Sequence, residues 1–418
     1  MSTPTPGIEE LLAGDLSVAS FAQEYWEKKV LLLQGRPKRL THLFSLERLR
    51  AFLKRSPFPA KSHLLAYFDR HWNVAPVGQG GTVPTFAIPP EDAVSAYESG
   101  ATVGVFKLEE GIPELRATCR GLRVGLGLSS EPTAAALWSP DQRGFGPHFD
   151  CIGTTILQLE GAKRWRFSEI PGVAWPVSNA SLRGGVAHYF EIDDRTDAWE
   201  REIDPASLER WTEVTLTPGD VLFLPPGFWH TAAADGTSLA ITIQTRSTRV
   251  PALLCDLLRA ATGGSAWDAV PPLLAREGVH GGLNDAARGY LDARLSELEQ
   301  KIRLFRADRR QLLGHWASVE GAADPQPAAG PVVLASESAS YAVGPSCRAL
   351  SDASEAECLI AVRGTVHRFE AGEAEVLRQI LRRRRFRLGD LAGAGLERAP
   401  LETLLNRLLA AEVVHAVD

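Results

Sequence analysis

The chain has 418 residues, with 45 Lys and Arg against 51 Asp and Glu, for a formal charge of −6. That length exceeds one ordinary core and predicts two or three domains of a soluble globular protein, while the mild acidity argues against a broadly basic nucleic-acid- or membrane-binding surface. No apolar run is long enough to span a bilayer, the opening Met1–Pro6 lacks the pattern of an export signal, and the five cysteines form no Cys-x-x-Cys pair, so a reducing cytoplasm is the expected setting.

Residues 8–34 read as short helices leading into a strand, with Ile8, Leu11 and Leu12 at helical spacing and an apolar run from Val30 to Leu33. A further helix is predicted over Ser45 to Lys54, with Ser45 as N-cap and Leu46, Leu49, Phe52 and Leu53 on one side. His63, His71 and Trp72 fall in a stretch punctuated by Pro and Gly and read as surface or packing residues, with a second metal site as the lesser alternative.

From Arg123 the pattern turns to strands: Val124–Leu128, Ala134–Trp138, Thr154–Leu159, Lys163–Phe167, Glu213–Thr217, Val221–Leu224 and Leu239–Thr245. Short strands between Gly and Pro turns favour a barrel or sandwich over alternating βα units. In the last of them Ser238, Ala240, Thr242 and Gln244 form a small, polar face that either lines a cavity or meets solvent.

The chemistry concentrates in Gly146-Pro147-His148-Phe149-Asp150 and in Pro225-Pro226-Gly227-Phe228-Trp229-His230. Side chains alternate along a strand, so His148 and Asp150 point the same way and can meet one metal. A second imidazole from a distant strand completes a two-His, one-carboxylate facial set with open positions, the arrangement of non-haem Fe(II). Taken alone, His-x-Asp is more often a hydrogen-bonded loop feature than a ligand pair. Lys163 adds a second signal, because alternation places it beside Trp165 and Phe167 with Arg164 and Arg166 opposite. A face bearing Trp and Phe looks into a core, where an unpaired ammonium is costly and calls for an anion. That anion is a bound dicarboxylate or an internal acid, unless the side chain snorkels to water. Cys151, beside the motif, reads as a small filler residue rather than a catalytic thiol.

Between Phe167 and Glu213 lie nine acidic residues (Glu169, Glu191, Asp193, Asp194, Asp197, Glu200, Glu202, Asp204 and Glu209) against four arginines. This segment precedes the loop holding His230 and reads as a lid or docking rim for a basic peptide, or as a solvated insertion. After Arg246 the pattern is helical. One helix is predicted over Val250–Ala261, ended by Gly263-Gly264, and a longer one over Asn284–His315, with Leu291, Leu295, Leu298, Ile302 and Phe305 in a stripe. A linker centred on Gly321–Gly330 follows. The remainder resembles a winged helix: a strand at Val332–Leu334, helices over Ala374–Arg384, Leu388–Ala392 and Pro400–Ala411, then Val413-Val414-His415. Its 11 arginines face 12 acids, so despite the Arg382–Arg387 run a structural or protein-docking role is expected and a nucleic-acid partner is not.

Three separated elements carry a family resemblance: the Gly146–Asp150 run, Thr154–Phe167 with Lys163, and Leu216–His230. Together with Tyr25–Leu32 they are similar to the Jumonji-C oxygenases, and more narrowly to the cupin-4 branch with the ribosomal oxygenases. The resemblance implies a mixed α+β chain. It would comprise a double-stranded β-helix (cupin/Jumonji-C) domain over 1–248, with barrel core 121–246 and acidic insertion 168–212. A helical dimerisation domain over 249–318, a linker over 319–331 and a winged-helix-like domain over 332–418 would follow. It implies that His148, Asp150 and His230 ligate Fe(II) and that Lys163 binds the distal carboxylate of 2-oxoglutarate. The activity implied is hydroxylation of an Arg or His side chain in a ribosomal or other basic protein by a homodimer. The alternatives are an oxygenase acting on a small molecule or biosynthetic peptide, and a non-catalytic cupin-like binding module. In histidine-hydroxylating relatives an Asn and a Tyr on the strand before His-x-Asp hold the target imidazole; the matching offsets here fall on Ala134 and Ala136, which weakens the histidine reading.

Overall fold

The computed structural model describes residues 7–12, 14–68, 78–80, 83–126, 128, 130–190, 203–247, 285–307, 339–344, 347–349, 358–362, 365–383, 385–391, 393 and 395–417. Several of the expectations above lie outside the described residues: His71, Trp72, the six acids from Glu191 to Glu202, the helix at Val250–Ala261, residues 308–315 of the longer helix, the linker and the strand at Val332–Leu334. The chain divides into two compact units, Met1–Ser247 and Thr248–Asp418.

The first unit opens with α1 (Ile8–Leu11), α2 (Val18–Glu24), β1 (Leu31–Leu33) and α3 (Leu46–Leu53). Capping explains two of the starts: the Ser17 hydroxyl accepts from the Ser20 amide, and the Ser45 hydroxyl from the Arg48 amide at 3.2 Å. Next come β2 (His63–Tyr67), β3 (Gly78–Gly80), β4 (Val83–Ile88), α4 (Ala93–Glu98), β5 (Thr102–Phe106) and α5 (Pro113–Leu126). The strand expected at Val124–Leu128 is therefore wrong, and the barrel does not begin at 121. Pro113 sits at the helix start, and the buried Leu115, Cys119 and Leu122 recur at four- and three-residue steps. That longer period outweighs a local Gly/apolar alternation.

The remaining strands are β6 (Thr133–Ser139), β7 (Gly144–Phe149), β8 (Gly153–Ser168), β9 (Asn179–Arg183), β10 (Val186–Phe190), β11 (Trp211–Leu216), β12 (Val221–Leu224) and β13 (His230–Thr245). The pairs expected at 154–159 and 163–167 are one continuous strand that turns a corner at Gly161, whose φ of +64° suits glycine and where a Cβ would stand 1.8 Å from the Thr237 carbonyl oxygen. Beyond the corners, β8 and β13 run on in the facing layer. One layer joins β6, β12, the first half of β8 and the second half of β13. The other joins β7, β11 and the remaining halves, with the β9–β10 hairpin on the edge of β7. β1 extends the first layer beyond β12, while β5, β2, β4 and β3 extend it beyond β6. Strands from well before residue 121 thus belong to the same sheet.

Period-two alternation sorts the side chains. Ala134, Ala136, Trp138, Leu157, Leu159, Leu239, Ile241 and Ile243 join a core with Ile8, Phe21, Leu49, Leu115 and other helix residues, on the outer face of the first layer. Ile156, Trp165, Phe167, Leu222, Leu224, Ala232 and Ala240 pack between the layers. The barrel interior and the helical face are thus two separate apolar surfaces of one sheet.

In the second unit, α6 (Asp285–Ala307) leaves Leu291, Leu295 and Ile302 exposed. The later elements are β14 (Ser340–Val343), β15 (Cys347–Ala349), β16 (Cys358–Val362), β17 (Thr365–Phe369), α7 (Ala371–Arg383), β18 (Arg385–Arg387), α8 (Arg398–Ala410) and β19 (Val414–Val417). β14 pairs with β18 and β19, and β16 with β15 and β17, around a core that includes Tyr341, Leu377, Ile380, Leu404 and Leu408. The helix expected at Leu388–Ala392 is a single 3₁₀ turn, Leu388–Leu391. No described helix is long and apolar enough to cross a membrane.

Candidate metal centre

β7 ends at Phe149 and β13 begins at His230, and the antiparallel register sets His230 directly opposite His148. The two imidazoles are buried with ring centroids 4.2 Å apart, and His230 Nε2 lies 3.7 Å from Asp150 Oδ2. One ligand atom from each of His148, Asp150 and His230 lies within 4.8 Å of the others, the one such group of three among the described residues. Strand alternation and register thus bring the three candidates together as expected.

The tautomers follow from the neighbours. His148 Nδ1 is 2.8 Å from the Gly146 carbonyl and His230 Nδ1 is 2.9 Å from the Phe228 carbonyl. A carbonyl only accepts, so each Nδ1 carries the hydrogen and each Nε2 keeps a lone pair. Burial first, and the neighbouring His148 second, push the His230 pKa down to about 4 against the pull of Asp150. At neutral pH the imidazole is uncharged and able to ligate. Two imidazole nitrogens and one carboxylate suit Fe(II) and leave open positions for a chelating ligand, so the side chains present fit the metal.

The loop before His230 is tied down on both sides. The Gly227 amide donates to the Asp150 carbonyl at 2.9 Å, and the Gly172 amide donates to the Gly227 carbonyl at 2.8 Å. The Trp229 amide donates to the Ser168 hydroxyl at 3.0 Å, and the Trp229 indole to Ser207 at 3.2 Å. Asn179, at the start of β9, accepts from the Cys151 amide at 2.7 Å, next to Asp150.

Lys163 is fully buried between the layers, while Arg164 and Arg166 face out. Its amine reaches the Ser139 hydroxyl at 3.0 Å, and burial pulls its pKa down to about 8. It is not among the side chains that line the cavity over the metal site, whereas Trp165, two residues along the same face, is. That cavity has a volume of about 320 Å³. Inside the barrel it is lined by the three candidate ligands with Thr154, Trp165, Asn179, Thr242 and Gln244, so of the polar face of the last strand Thr242 and Gln244 line a cavity, while Ala240 packs in an apolar cluster and Ser238 bonds Gln158. Its outer wall is largely apolar and aromatic: His63 stacks on Phe106 with centroids 5.2 Å apart, Tyr67 meets Phe145 edge-on at 4.8 Å, and Leu65 and Leu137 complete it.

His63, exposed and stacked on Phe106, is the surface and packing residue expected, and it also borders the cavity. One expectation needs correction. Ala134 and Ala136 turn away from the site into the helical core; the positions of β6 on the barrel side are Ala135, Leu137 and Ser139. Asn179 was missed because its stretch reads only as acidic, and nothing in the sequence signals that β9 pairs with β7.

Residues 127–253, under a third of the chain, match the family model described as the JmjC domain. Over 251 residues the chain is 28% identical to YxbC of Bacillus subtilis, an uncharacterized protein, covering 58% of this chain and 72% of the relative. Over 329 residues it is 26% identical to Ribosomal oxygenase 1 of Homo sapiens, covering 75% of this chain and 46% of that one. The Aedes aegypti bifunctional lysine-specific demethylase and histidyl-hydroxylase NO66 is 27% identical over 221 residues, 52% of this chain and 31% of its own. The chain thus spans less than half the length of these last two. Among solved structures, the Escherichia coli ribosomal oxygenase YcfD in complex with cobalt and 2-oxoglutarate superposes with a TM-score of 0.50 at 14% identity, covering 96% of this chain and 99% of that one. At that identity the likeness shows the fold.

Proposed function

We propose that the protein is an Fe(II)- and 2-oxoglutarate-dependent oxygenase that hydroxylates a side chain, Arg or His, of a ribosomal or other basic protein. The observation that carries this reading is the convergence of His148, Asp150 and His230 in a barrel that also buries an ammonium with no carboxylate partner among the described residues. The names of the relatives, ribosomal oxygenase and histidyl-hydroxylase, support the class of substrate. When bound, the metal and oxo acid supply an oxidative decarboxylation to succinate and CO2 that places one oxygen atom of O2 in a substrate C–H bond.

His148, Asp150 and His230 would hold the metal, the two imidazoles through Nε2 because the Gly146 and Phe228 carbonyls fix their Nδ1–H sides. Lys163 pairs with the distal carboxylate of 2-oxoglutarate, which restores the counter-charge its burial lacks. The outer wall excludes water and orients the target group above the metal. In the second unit, the exposed stripe of α6 serves homodimerisation and residues 332–418 form a winged-helix-like docking domain, and the protein works in the cytoplasm. A second reading, hydroxylation of a small molecule or biosynthetic peptide, is favoured by the apolar Ala135 and Leu137 on the cavity side of β6.

The test is 2-oxoglutarate turnover by the Fe(II)-loaded protein on peptides from the organism's own ribosomal proteins, with His148→Ala as the blank. The expected result is a peptide heavier by one oxygen atom, dependent on both cosubstrates. No turnover of 2-oxoglutarate, even uncoupled, overturns the reading in favour of a non-catalytic binding module.

A further inference from the structure

Residues 332–418 carry 11 arginines against 12 acids, and the fold segregates that balance. In the described part, Arg378 pairs with Glu375, Arg398 with Glu402 and Arg407 with Glu373. Arg382 and Arg383, in the last turn of α7, and Arg385 and Arg387, on β18, make no ion pair among the described residues, and all four are exposed. The nearby Asp390 is already engaged, because its carboxylate accepts from the Arg387 amide at 2.8 Å. The last turn of a helix favours cations, and charge on an edge strand deters pairing with another chain. Each reason accounts for one pair of arginines, but neither neutralises the four.

The strand holds its two arginines in a fixed relation. Phe386 is buried and stacks on Tyr341 with centroids 5.6 Å apart, so alternation turns Arg385 and Arg387 together to the opposite side, about 7 Å from each other along the strand. β18 lies at the edge of the sheet it forms with β14 and β19. Arg387 Nε donates to the Ser340 hydroxyl at 3.3 Å, which orients the guanidinium and leaves its two terminal nitrogens for a ligand. Among the described residues of 339–417 no large apolar side chain is exposed. A protein partner therefore finds no apolar anchor here, the part of an interface that carries most of its energy. A phosphate backbone needs none, since guanidinium forks bind phosphate oxygens directly and successive phosphates are spaced on the same scale as alternate residues of a strand. Because no Phe, Tyr or Trp of this part is exposed, there is no ring for a base to stack on, and the contact reads backbone rather than sequence.

We propose that Arg382, Arg383, Arg385 and Arg387 form a binding site for the phosphate backbone of single-stranded RNA. The choice of RNA rests on the proposed ribosomal-protein substrate, which lies among RNA; the phosphate site itself rests on the four unpaired guanidinium groups. The near-neutral total for residues 332–418 argues against a nucleic-acid partner only while the charges are taken as evenly mixed, and they are not.

The test is fluorescence anisotropy of a labelled oligouridylate of about 20 nucleotides, titrated with the full-length protein at a series of salt concentrations. Four phosphate contacts on a single strand predict that log K falls against log salt with a slope of about −3, and each arginine removed takes about 0.7 from it. Arg385→Gln with Arg387→Gln is expected to bring the slope to about −1.4 and to weaken binding about tenfold near physiological salt. Arg382→Gln with Arg383→Gln has the same effect from the helix, so the result does not depend on one variant folding, and thermal melting verifies the fold of each. Arg378→Gln with Arg398→Gln removes arginines that are already paired and leaves both quantities at the wild-type value. No binding, binding without salt dependence, or an equal loss from the Arg378 and Arg398 pair overturns the proposal. Displacement of the RNA by oligoglutamate of equal charge at equal concentration overturns it in favour of an acidic protein partner, and a clear preference for oligothymidylate overturns the choice of RNA. None of these measurements needs the metal or 2-oxoglutarate, so their failure leaves the oxygenase reading standing, and a failure of 2-oxoglutarate turnover leaves the phosphate site standing.

Discussion

The carbonyl oxygen of Asp150 accepts a hydrogen bond from the amide of Gly227, 2.9 Å away, and so clamps the strand end bearing His148 and Asp150 to the loop that delivers His230. Gly227 has a φ of +82°, and a Cβ there would lie 2.0 Å from the Val173 carbonyl oxygen. Backbone strain and a backbone clash therefore coincide at the clamp. Gly227→Ala is expected to destabilise the protein by about 3 kcal/mol or more and to abolish stoichiometric metal binding. Urea unfolding and Mn(II) titration check the two effects; a variant with wild-type values of both would show that the clamp does not set the ligand geometry.

A subtler effect is expected at Asn179. Its side-chain oxygen accepts from the Cys151 amide at 2.7 Å and so fixes the backbone just after Asp150. Asn179→Ala leaves that donor without its acceptor and frees the carboxylate to turn. Metal affinity is expected to fall by about 10- to 100-fold, the usual cost of losing support one step behind a ligand, while the fold survives with a loss of about 1–2 kcal/mol. Parallel Mn(II) titration and thermal melting separate the two.

The parts of this site that were legible in the sequence are those set by period-two geometry within one strand. His148 with Asp150, and Lys163 with Trp165, share a side whatever the strand pairs with. Legibility failed where faces depend on tertiary register. The loop between β6 and β7 decides which residues of β6 look inward, and a shift of one residue exchanged Ala135 and Leu137 for Ala134 and Ala136. His63 and Asn179 reach the cavity only because β2 pairs with β5 and β9 with β7, pairings no local pattern encodes. The Val124–Leu128 misreading had a different origin: a window shorter than two helical turns hid the Leu115, Cys119, Leu122 spacing.

Lys163 predicts an unusual stability profile. Its pKa is pulled by burial from 10.5 to about 8 in the folded, ligand-free chain. Between those values the unfolded chain binds the proton and the folded chain does not, so stability rises with pH across that window and the full penalty applies below about pH 8. At neutral pH the penalty is on the order of 3 kcal/mol. Lys163→Met is therefore expected to raise ligand-free stability at pH 7 and to flatten its rise at alkaline pH, while eliminating 2-oxoglutarate binding. Urea unfolding at a series of pH values is the check; a destabilised variant would mean the ammonium has a counter-charge in the free protein.

The exposed Leu291, Leu295 and Ile302 on α6 make a testable surface. An apolar stripe in water favours burial against a second copy. If the proposed homodimer forms through this stripe, replacing both Leu291 and Leu295 with Glu gives a folded monomer that still binds metal, measured by light scattering after size-exclusion chromatography. An unchanged mass would assign the stripe to contacts within one chain.

Charge on Lys163 also governs ligand affinity. The free protein must hold the ammonium protonated to receive a dicarboxylate, and its pKa of about 8 sets where that condition fails. The Kd for 2-oxoglutarate with Mn(II) bound is expected to be flat below that value and to rise about tenfold for each pH increment above it. Lys163→Arg keeps its charge throughout this range, so if it binds at all its Kd stays flat into the alkaline region. Calorimetry across about two pH increments on either side of the Lys163 pKa measures both curves. A wild-type Kd that does not change above the pKa would show that some other cation receives the far carboxylate.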